Sequence, residues 1–330
     1  MTRVLIAGGY GVVGSQIARC LRAAHPDLDL LLAGRNPLNG AILAAELGAR
    51  TARCDVSDAQ TGLAEIGPVD LVIAALRDPG DNLMLAASRA GAAFTSIAGT
   101  ENLSALAIAF RLGRRPALVL SYWMAGALTL AALAAARAFA KVERIELAAL
   151  YDSADPIGPM TVADSGGFSG GALIRRGRDW ARLEPSANAR TVARGEQAPA
   201  FEARPVTVLD VPGLAAATLA PDIRFDLGFA PSLGTLSQRA PSHDLYIDLS
   251  GSDAAGKALC QRTIVSDPKG QARLTALGVL IGAERLLGLD GKAPPPAGIA
   301  FPEEAIEPEF AARRLRDFGV SIETVAMPLS

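Results

Sequence analysis

The turn Gly8-Gly9-Tyr10-Gly11-Val12-Val13-Gly14, close to the start of the chain, limits its folding choices more than any other stretch. Val4 to Ala7 before it is a short apolar run, as expected of a strand buried on both faces. After it, Val13, Ile17, Cys20 and Leu21 recur at helical spacing. A strand, then Gly9-x-Gly11-x-x-Gly14, then a helix is the setting in which such glycines read as a dinucleotide site. Gly9 is assigned the tight turn, Gly11 the close approach of a pyrophosphate to the backbone, and Gly14 the close packing of helix on strand. The unpaired N–H groups of the first helical turn, at the positive end of the helix dipole, attract the diphosphate. The same glycines would also suit a turn that serves helix–strand packing alone.

Downstream the pattern repeats. Apolar runs at Leu28–Ala33, Ala49–Cys54, Val69–Ala75, Phe94–Ala98 and Pro116–Ser121 alternate with helical stretches at 38–48, 59–66, 81–90 and 99–111. This alternation predicts an α/β fold, a Rossmann-type doubly wound parallel sheet with right-handed crossovers. Ligands of such sheets sit beyond the carboxyl ends of the strands. The cofactor candidates are therefore Gly8, Gly9, Tyr10, Gly11, Val12 and Val13 in the first turn; Gly34, Arg35 and Asn36 after the second strand; Asp55 after the third; and Ala75, Leu76 and Arg77 after the fourth. The second-strand exit, about 20 residues past the glycines, is where an NAD enzyme places an acid for the ribose 2′-hydroxyl. No acid occurs between Leu30 and Ala45, and Arg35 offers a guanidinium fork suited to a 2′-phosphate. The expected cofactor is NADP, as NADPH, rather than NAD.

Beyond Ala140 the texture changes to strand-like runs at Val142–Tyr151, Ala172–Arg176, Arg204–Val211, His243–Ser250 and Gln261–Ser266, with a glycine-rich loop at 165–171. They read as an inserted mixed α+β domain. Gln271–Leu287 is a strong amphipathic helix that Gly288 is placed to end, and Pro308–Phe318 is a last helix. The expected domains are 1–125 for the nucleotide, 126–268 for substrate and dimerisation, and 269–330 for helices returning to the first domain. The expected partner is a second copy of the chain, a homodimer formed through the sheet of the inserted domain. A net charge of −2 leaves no footprint for nucleic acid. Three scattered cysteines and two histidines supply no disulfide framework and no histidine-rich metal site. A strand begins almost at once, without room for a signal peptide. The uncharged run Pro116–Ala136 divides into a strand and an alanine-rich helix and is not expected to span a membrane. The expectation is a cytoplasmic protein with a small-molecule substrate.

With these residues in view, the chain resembles the saccharopine dehydrogenase (saccharopine reductase-like) family. The likeness is carried by residues 8–14, Ala33-Gly34-Arg35, the turn from Ala75 to Asn82, Ala90-Gly91, and a closing segment that runs through Gly282–Leu287, Phe301-Pro302-Glu303-Glu304 and Asp317-Phe318-Gly319-Val320. It implies a nucleotide-binding domain, an inserted mixed-sheet domain, and NAD(P)-linked oxidoreductase chemistry at a carbon–nitrogen bond. That means imine reduction or opine-type oxidation of a secondary amine. The chain departs from the family's pattern at Ser96, where an acid is frequent, and at Ala125-Gly126, where Pro-Gly is frequent.

The nicotinamide carries the hydride, so the protein must orient the substrate and manage one proton. Tyr122 and Asp152 are the catalytic candidates; Arg77, Trp123, Asp155 and Arg175 are candidates for holding substrate, with Asp164 and Arg176 nearby in sequence. Tyr122 and Trp123 fit aromatic packing equally well. No tyrosine is followed by lysine four residues on, which excludes the short-chain dehydrogenase mechanism. Nucleotide sensing without turnover, and reduction of a polarised C=C or C=O bond, stay open as alternatives.

Overall fold

Apolar runs bounded by glycine and polar turns become the central strands of a parallel sheet. In the computed structural model, which describes residues 1–99, 103–158, 171–195 and 198–328, Val4 to Ala7 and Leu71 to Ala74 are wholly buried. A strand apolar on both faces needs cover on both, and crossover helices supply it.

The first unit, residues 1–121 and 275–306, runs β1 (Arg3–Ala7), α1 (Val12–Ala24), β2 (Asp29–Gly34), α2 (Ala41–Leu47), β3 (Arg50–Arg53), α3 (Ala59–Ile66), β4 (Leu71–Ala74), α4 (Asn82–Arg89), β5 (Ala93–Ser96), α5 (Leu103–Leu112) and β6 (Pro116–Val119). With β15 (Gly298–Ala300) these strands form a seven-stranded sheet in the order β15-β6-β5-β4-β1-β2-β3, parallel throughout. The doubly wound sheet expected from the sequence is present. The strand order reverses between β1 and β4, which sets the ligand crevice beyond the exits of those two strands. The edge strand β15 was not anticipated; three residues are too few to show a period of two.

The second unit, residues 122–274 and 307–330, starts with α6 (Ala127–Ala136) and β7 (Lys141–Tyr151). β8 (Ala172–Arg176), β9 (Asp179–Leu183), β10 (Arg190–Val192) and β11 (Phe201–Pro205) follow, then α7 (Asp210–Thr218), β12 (Asp222–Phe229), β13 (His243–Ser252), β14 (Ala258–Asp267), α8 (Gln271–Leu287), α9 (Pro308–Asp317) and β16 (Ser321–Ala326). Its nine-stranded sheet runs β10-β11-β12-β7-β13-β14-β16, with the β8–β9 hairpin attached through β12. Only β12 and β7 pair in parallel, so the sheet is mixed.

The strand expected over Arg204–Val211 ends at Pro205, and α7 opens at Asp210 instead. Proline donates nothing to a ladder, and Pro212 is tolerated in a first helical turn, where the N–H needs no partner. The chain division falls at Thr275, inside α8, and α9 and β16 belong to the second unit. The sequence predicts both closing helices in the first unit; residues 275–287 of α8 lie there and α9 does not. β16 pairs antiparallel along β14, from Gln261 opposite Ala326 to Ser266 opposite Ser321, and α9 packs on α6. The uncharged run Pro116–Ala136 is β6, a turn over Trp123–Gly126, and α6. Among the described residues no helix is long and apolar enough to cross a membrane. Asp164 and residues 165–170 of the glycine-rich loop lie outside the described residues.

Candidate functional site

The opening turn is built from close approaches that only glycine permits. Gly8 takes φ +77°, and its N–H donates to Ala33 O at 2.8 Å, bending the chain off the end of β1. A Cβ on Gly8 would stand 2.8 Å from Ala75 O, so the exit of β4 presses on the turn. A Cβ on Gly14 would stand 2.0 Å from Gly8 O, because α1 rests directly on the turn. A Cβ on Gly11 would meet Gly8 O alone, at 3.2 Å, and is otherwise in open space. The tight turn thus falls to Gly8 rather than Gly9. Gly9 is a packing glycine, its Cβ position 2.7 Å from Ile6 O. Gly11 caps α1 with extended backbone, without a side-chain cap and without an acid in the first turn. The amides of Val12 and Val13 head the helix, and Val12 is exposed. An open cradle at Gly11 over uncompensated helix amides fits a diphosphate.

Arg35 is exposed at the exit of β2, and Gly34 stands in register with Arg53 at the end of β3. Asp55 accepts from the Ser57 N–H at 3.1 Å and the Ser57 hydroxyl at 2.8 Å. Those two hydrogen bonds, and then the charges of Arg35 and Arg53, hold its carboxyl below the ordinary carboxylate range. Arg53 is therefore a second cation beside Arg35, and sequence reasoning missed it. The signal was the parallel register, which sets the last residue of β3 beside the last of β2. Asn36, also exposed, accepts from Leu38 N–H at 3.2 Å through its side chain.

Beyond β4, the Ala75 N–H donates to Ala7 O at 2.9 Å; Ala75 and Leu76 are half-buried and Arg77 is exposed. Asp78 Oδ2 accepts from Leu83 N–H (2.8 Å) and Met84 N–H (3.1 Å), heading α4. Its other oxygen, Oδ1, is buried with no hydrogen-bond partner among the described residues. Such an acceptor calls for a donor. At the exit of a central strand a ribose hydroxyl would supply one.

The second unit collects its own polar residues. Tyr122 is buried. The Trp123 N–H donates to Asp210 Oδ2 at 2.7 Å, and the indole packs on Phe225 (centroids 4.9 Å apart) and stacks on His243 (6.3 Å). Asp210, wholly buried, also accepts from the Thr129 hydroxyl at 2.7 Å. Neither Trp123 Nε1 nor His243 Nε2 has a hydrogen-bond partner among the described residues. Burial pushes the His243 imidazole down to about 4, so the ring is neutral near neutral pH. Its stacking on Trp123 was not legible, since two distant residues met only through the fold.

Asp152 accepts from Ser232 N–H (2.8 Å), the Thr235 hydroxyl (2.5 Å) and Ala154 N–H (2.9 Å). Burial alone would raise its carboxyl, but these donors outweigh it and bring it down to about 2. That suits a residue pinning the β12–β13 connection better than one exchanging protons. Asp155 is its opposite. Burial first, then the nearby charges of Asp152 and Asp267, lifts its carboxyl to about 6 against one hydrogen bond from Gln271 N–H at 2.7 Å. The Gln271 side chain donates to Tyr151 Oη at 3.2 Å. Arg175 donates to Ala215 O at 3.2 Å and lies over the Trp180 ring at 5.8 Å. Arg176 is exposed on the same hairpin.

No protein-family model and no curated protein matches the sequence. Solved structures share its fold. Saccharopine dehydrogenase (L-Glu forming) from Saccharomyces cerevisiae aligns over 99% of this chain and 100% of its own, with a TM-score of 0.77 and 13% identity. Homospermidine synthase from Legionella pneumophila, solved in complex with NAD, aligns over 99% and 91%, with a TM-score of 0.70 and 13% identity. The architecture is that of these Rossmann-type proteins, and at this identity the likeness speaks for fold.

Proposed function

We propose that the chain is an NADPH-dependent oxidoreductase acting at the C–N bond of a small amino-acid-like substrate, by imine reduction or the reverse oxidation of a secondary amine. The observation that carries the cofactor assignment is the open cradle at Gly11 joined to the Arg35–Arg53 pair across the exits of β2 and β3. The backbone of residues 8 to 13 would hold the diphosphate, Arg35 and Arg53 the 2′-phosphate, and the orphaned Asp78 Oδ1 a ribose hydroxyl. Ala75, Leu76 and Arg77 flank the same crevice. Support for the substrate class comes from the shared fold, since one neighbour is named for saccharopine and the other for homospermidine.

The bound nicotinamide would supply or take the hydride, leaving the chain to handle a proton. Asp152, saturated by three donors, holds a loop. Asp155, with its carboxyl near 6, can carry a proton close to neutral pH, and Tyr122 is the other donor candidate. Arg77 in the first unit, and separately Trp123 and Arg175 in the second, stay candidates for holding substrate. Nucleotide binding without turnover is the second reading. The saturation of Asp152 favours it, and single-turnover oxidation of NADPH by imines of oxo acids would exclude it.

The cofactor half is tested by titrating purified protein with NADPH and NADH. NADPH should bind at least about tenfold tighter, and Arg35→Glu should remove that preference by setting an acid against the phosphate. Equal binding, or tighter NADH, sinks the NADP assignment; binding of neither sinks the redox reading.

A further inference from the structure

The selector loop after β2 is not held by its own residues. Gly34 and Gly40 are both buried, and each lacks the side chain that would fill the space beside it. A Cβ on Gly34 would stand 2.2 Å from Tyr10 Oη, and one on Gly40 would stand 2.6 Å from the Tyr10 ring. The ring of a residue in the opening turn therefore occupies a seat formed by two glycines that bracket the stretch Arg35 to Asn39. Its hydroxyl donates to Asn36 O at 2.8 Å. That same carbonyl accepts from Asn39 N–H at 3.2 Å, and the Asn36 side chain accepts from Leu38 N–H at 3.2 Å. Residue 36 is thus fixed through both its backbone and its side chain. Residue 34 is fixed by the ladder to Arg53 and by the ring above it. Arg35 stands between the two, with its side chain exposed.

A long, rotamer-rich arginine loses affinity to the entropy of ordering, and a fixed backbone reduces that loss. We propose that Tyr10 is the positioning residue for selection at the ribose 2′-position: seated on Gly34 and Gly40, it sets Arg35 beside Arg53 and links the diphosphate turn to the selector loop. The inference rests on the dinucleotide reading above. Tyr10 is a cofactor candidate from the sequence; its hydroxyl donates to Asn36 O and its ring rests on two glycines. It acts through Arg35. A cofactor contact made by Tyr10 itself would affect phosphorylated and unphosphorylated dinucleotides alike, whereas positioning of Arg35 affects only the former.

The full chain and its variants Tyr10→Ala, Tyr10→Phe, Arg35→Ala and the Tyr10→Ala/Arg35→Ala double are titrated calorimetrically with two matched pairs. One pair is NADPH and NADH, the other 2′-phospho-ADP-ribose and ADP-ribose. Wild type should favour the phosphorylated member of each pair by about tenfold or more. Tyr10→Ala should cut that preference to about threefold or less while changing ADP-ribose affinity by less than about threefold. Tyr10→Phe, which keeps the ring and loses the bond to Asn36 O, should fall between, and it decides the matter should Tyr10→Ala not fold. The double variant should lose no more preference than Arg35→Ala, since residues acting through one another are not additive. A Tyr10 variant that weakens both members of a pair by the same factor, or an unchanged preference in Tyr10→Phe, overturns the positioning role. Wild type binding both members equally overturns 2′-selection while sparing the cofactor reading. Wild type binding neither overturns that reading and this inference together.

Discussion

One methyl group separates two kinds of glycine in the opening turn, and the difference can be measured. At Gly14 an added Cβ would sit 2.0 Å from a backbone oxygen that cannot swing away. Gly14→Ala should therefore force α1 off the turn and lower stability by about 2–3 kcal/mol, in the range of an overpacked site. At Gly11 the nearest atom to an added Cβ is 3.2 Å away and the backbone is extended, so Gly11→Ala should melt within a few degrees of wild type. It should nonetheless weaken NADPH binding by about tenfold or more, since the methyl group fills the open side of the cradle. A Gly11→Ala protein that binds as wild type does would place the diphosphate elsewhere. The motif itself was legible from spacing; the division of labour within it was not, because φ at Gly8 and the approach of Ala75 depend on how β4 meets the turn. Arg53 was hidden for a related reason. Its neighbour Arg35 lies next to it only through the β2–β3 register, and a lone Arg at a strand end has no signature.

At the scale of elements, two buried titratable groups in the second unit have opposite pH linkages. Asp155 caps α8 through Gln271 N–H, at a site where Gly270, with φ +84°, leaves no room for a side chain. Burial and the charges of Asp152 and Asp267 raise its carboxyl to about 6 from an ordinary 3.8. The folded state then holds a proton that the unfolded chain has released, so this contribution is present below about pH 4 and is lost as pH rises through 6. His243, at the head of β13, runs the other way. Burial lowers it to about 4 from 6.5, so its contribution is present above pH 6.5 and is lost as pH falls through 4. Each shift corresponds to something on the order of 3 kcal/mol. The two should nearly cancel between pH 4 and 6. Denaturant melts should show Asp155→Asn gaining stability with rising pH over that window and His243→Phe losing it. Parallel slopes in both variants would contradict the assignment. None of this could be read from the sequence, since both shifts are consequences of burial. The elements around them were partly legible. The long strand β7 shows a rough alternation, with Val142 and Ile145 three apart, and β12 carries Ile223, Phe225 and Leu227 at every second position, although that strand went unrecognised. β16, mostly exposed along its length, carries almost no apolar period to detect.

Over the whole molecule, the chain passes between its two units three times, after Ser121, Leu274 and Ile306. The returning segment 275–306 completes the first unit and is no appendage. β15 extends its sheet beside β6, and Glu284 of α8 lies 2.8 Å from His25 Nε2 at the end of α1. Residues 1–121 expressed alone would lack an edge strand and the α8 residues that cover β6, where a Cβ on Gly282 would already be 2.8 Å from the Leu120 side chain. That arrangement makes the nucleotide's effect separable from the rest of the chain. A ligand that binds only the folded state at about a hundred times its dissociation constant adds about 2.7 kcal/mol of stability. NADPH should therefore raise the melting temperature of the full chain, and amide exchange should slow most over residues 8–13, 34–36 and 75–77. The segments β13 and β14, which the proposed site does not use, should change least. Protection strongest in residues 243–267, with the opening turn exchanging as before, would mean that the glycine turn is a packing device and that the dinucleotide assignment fails with it.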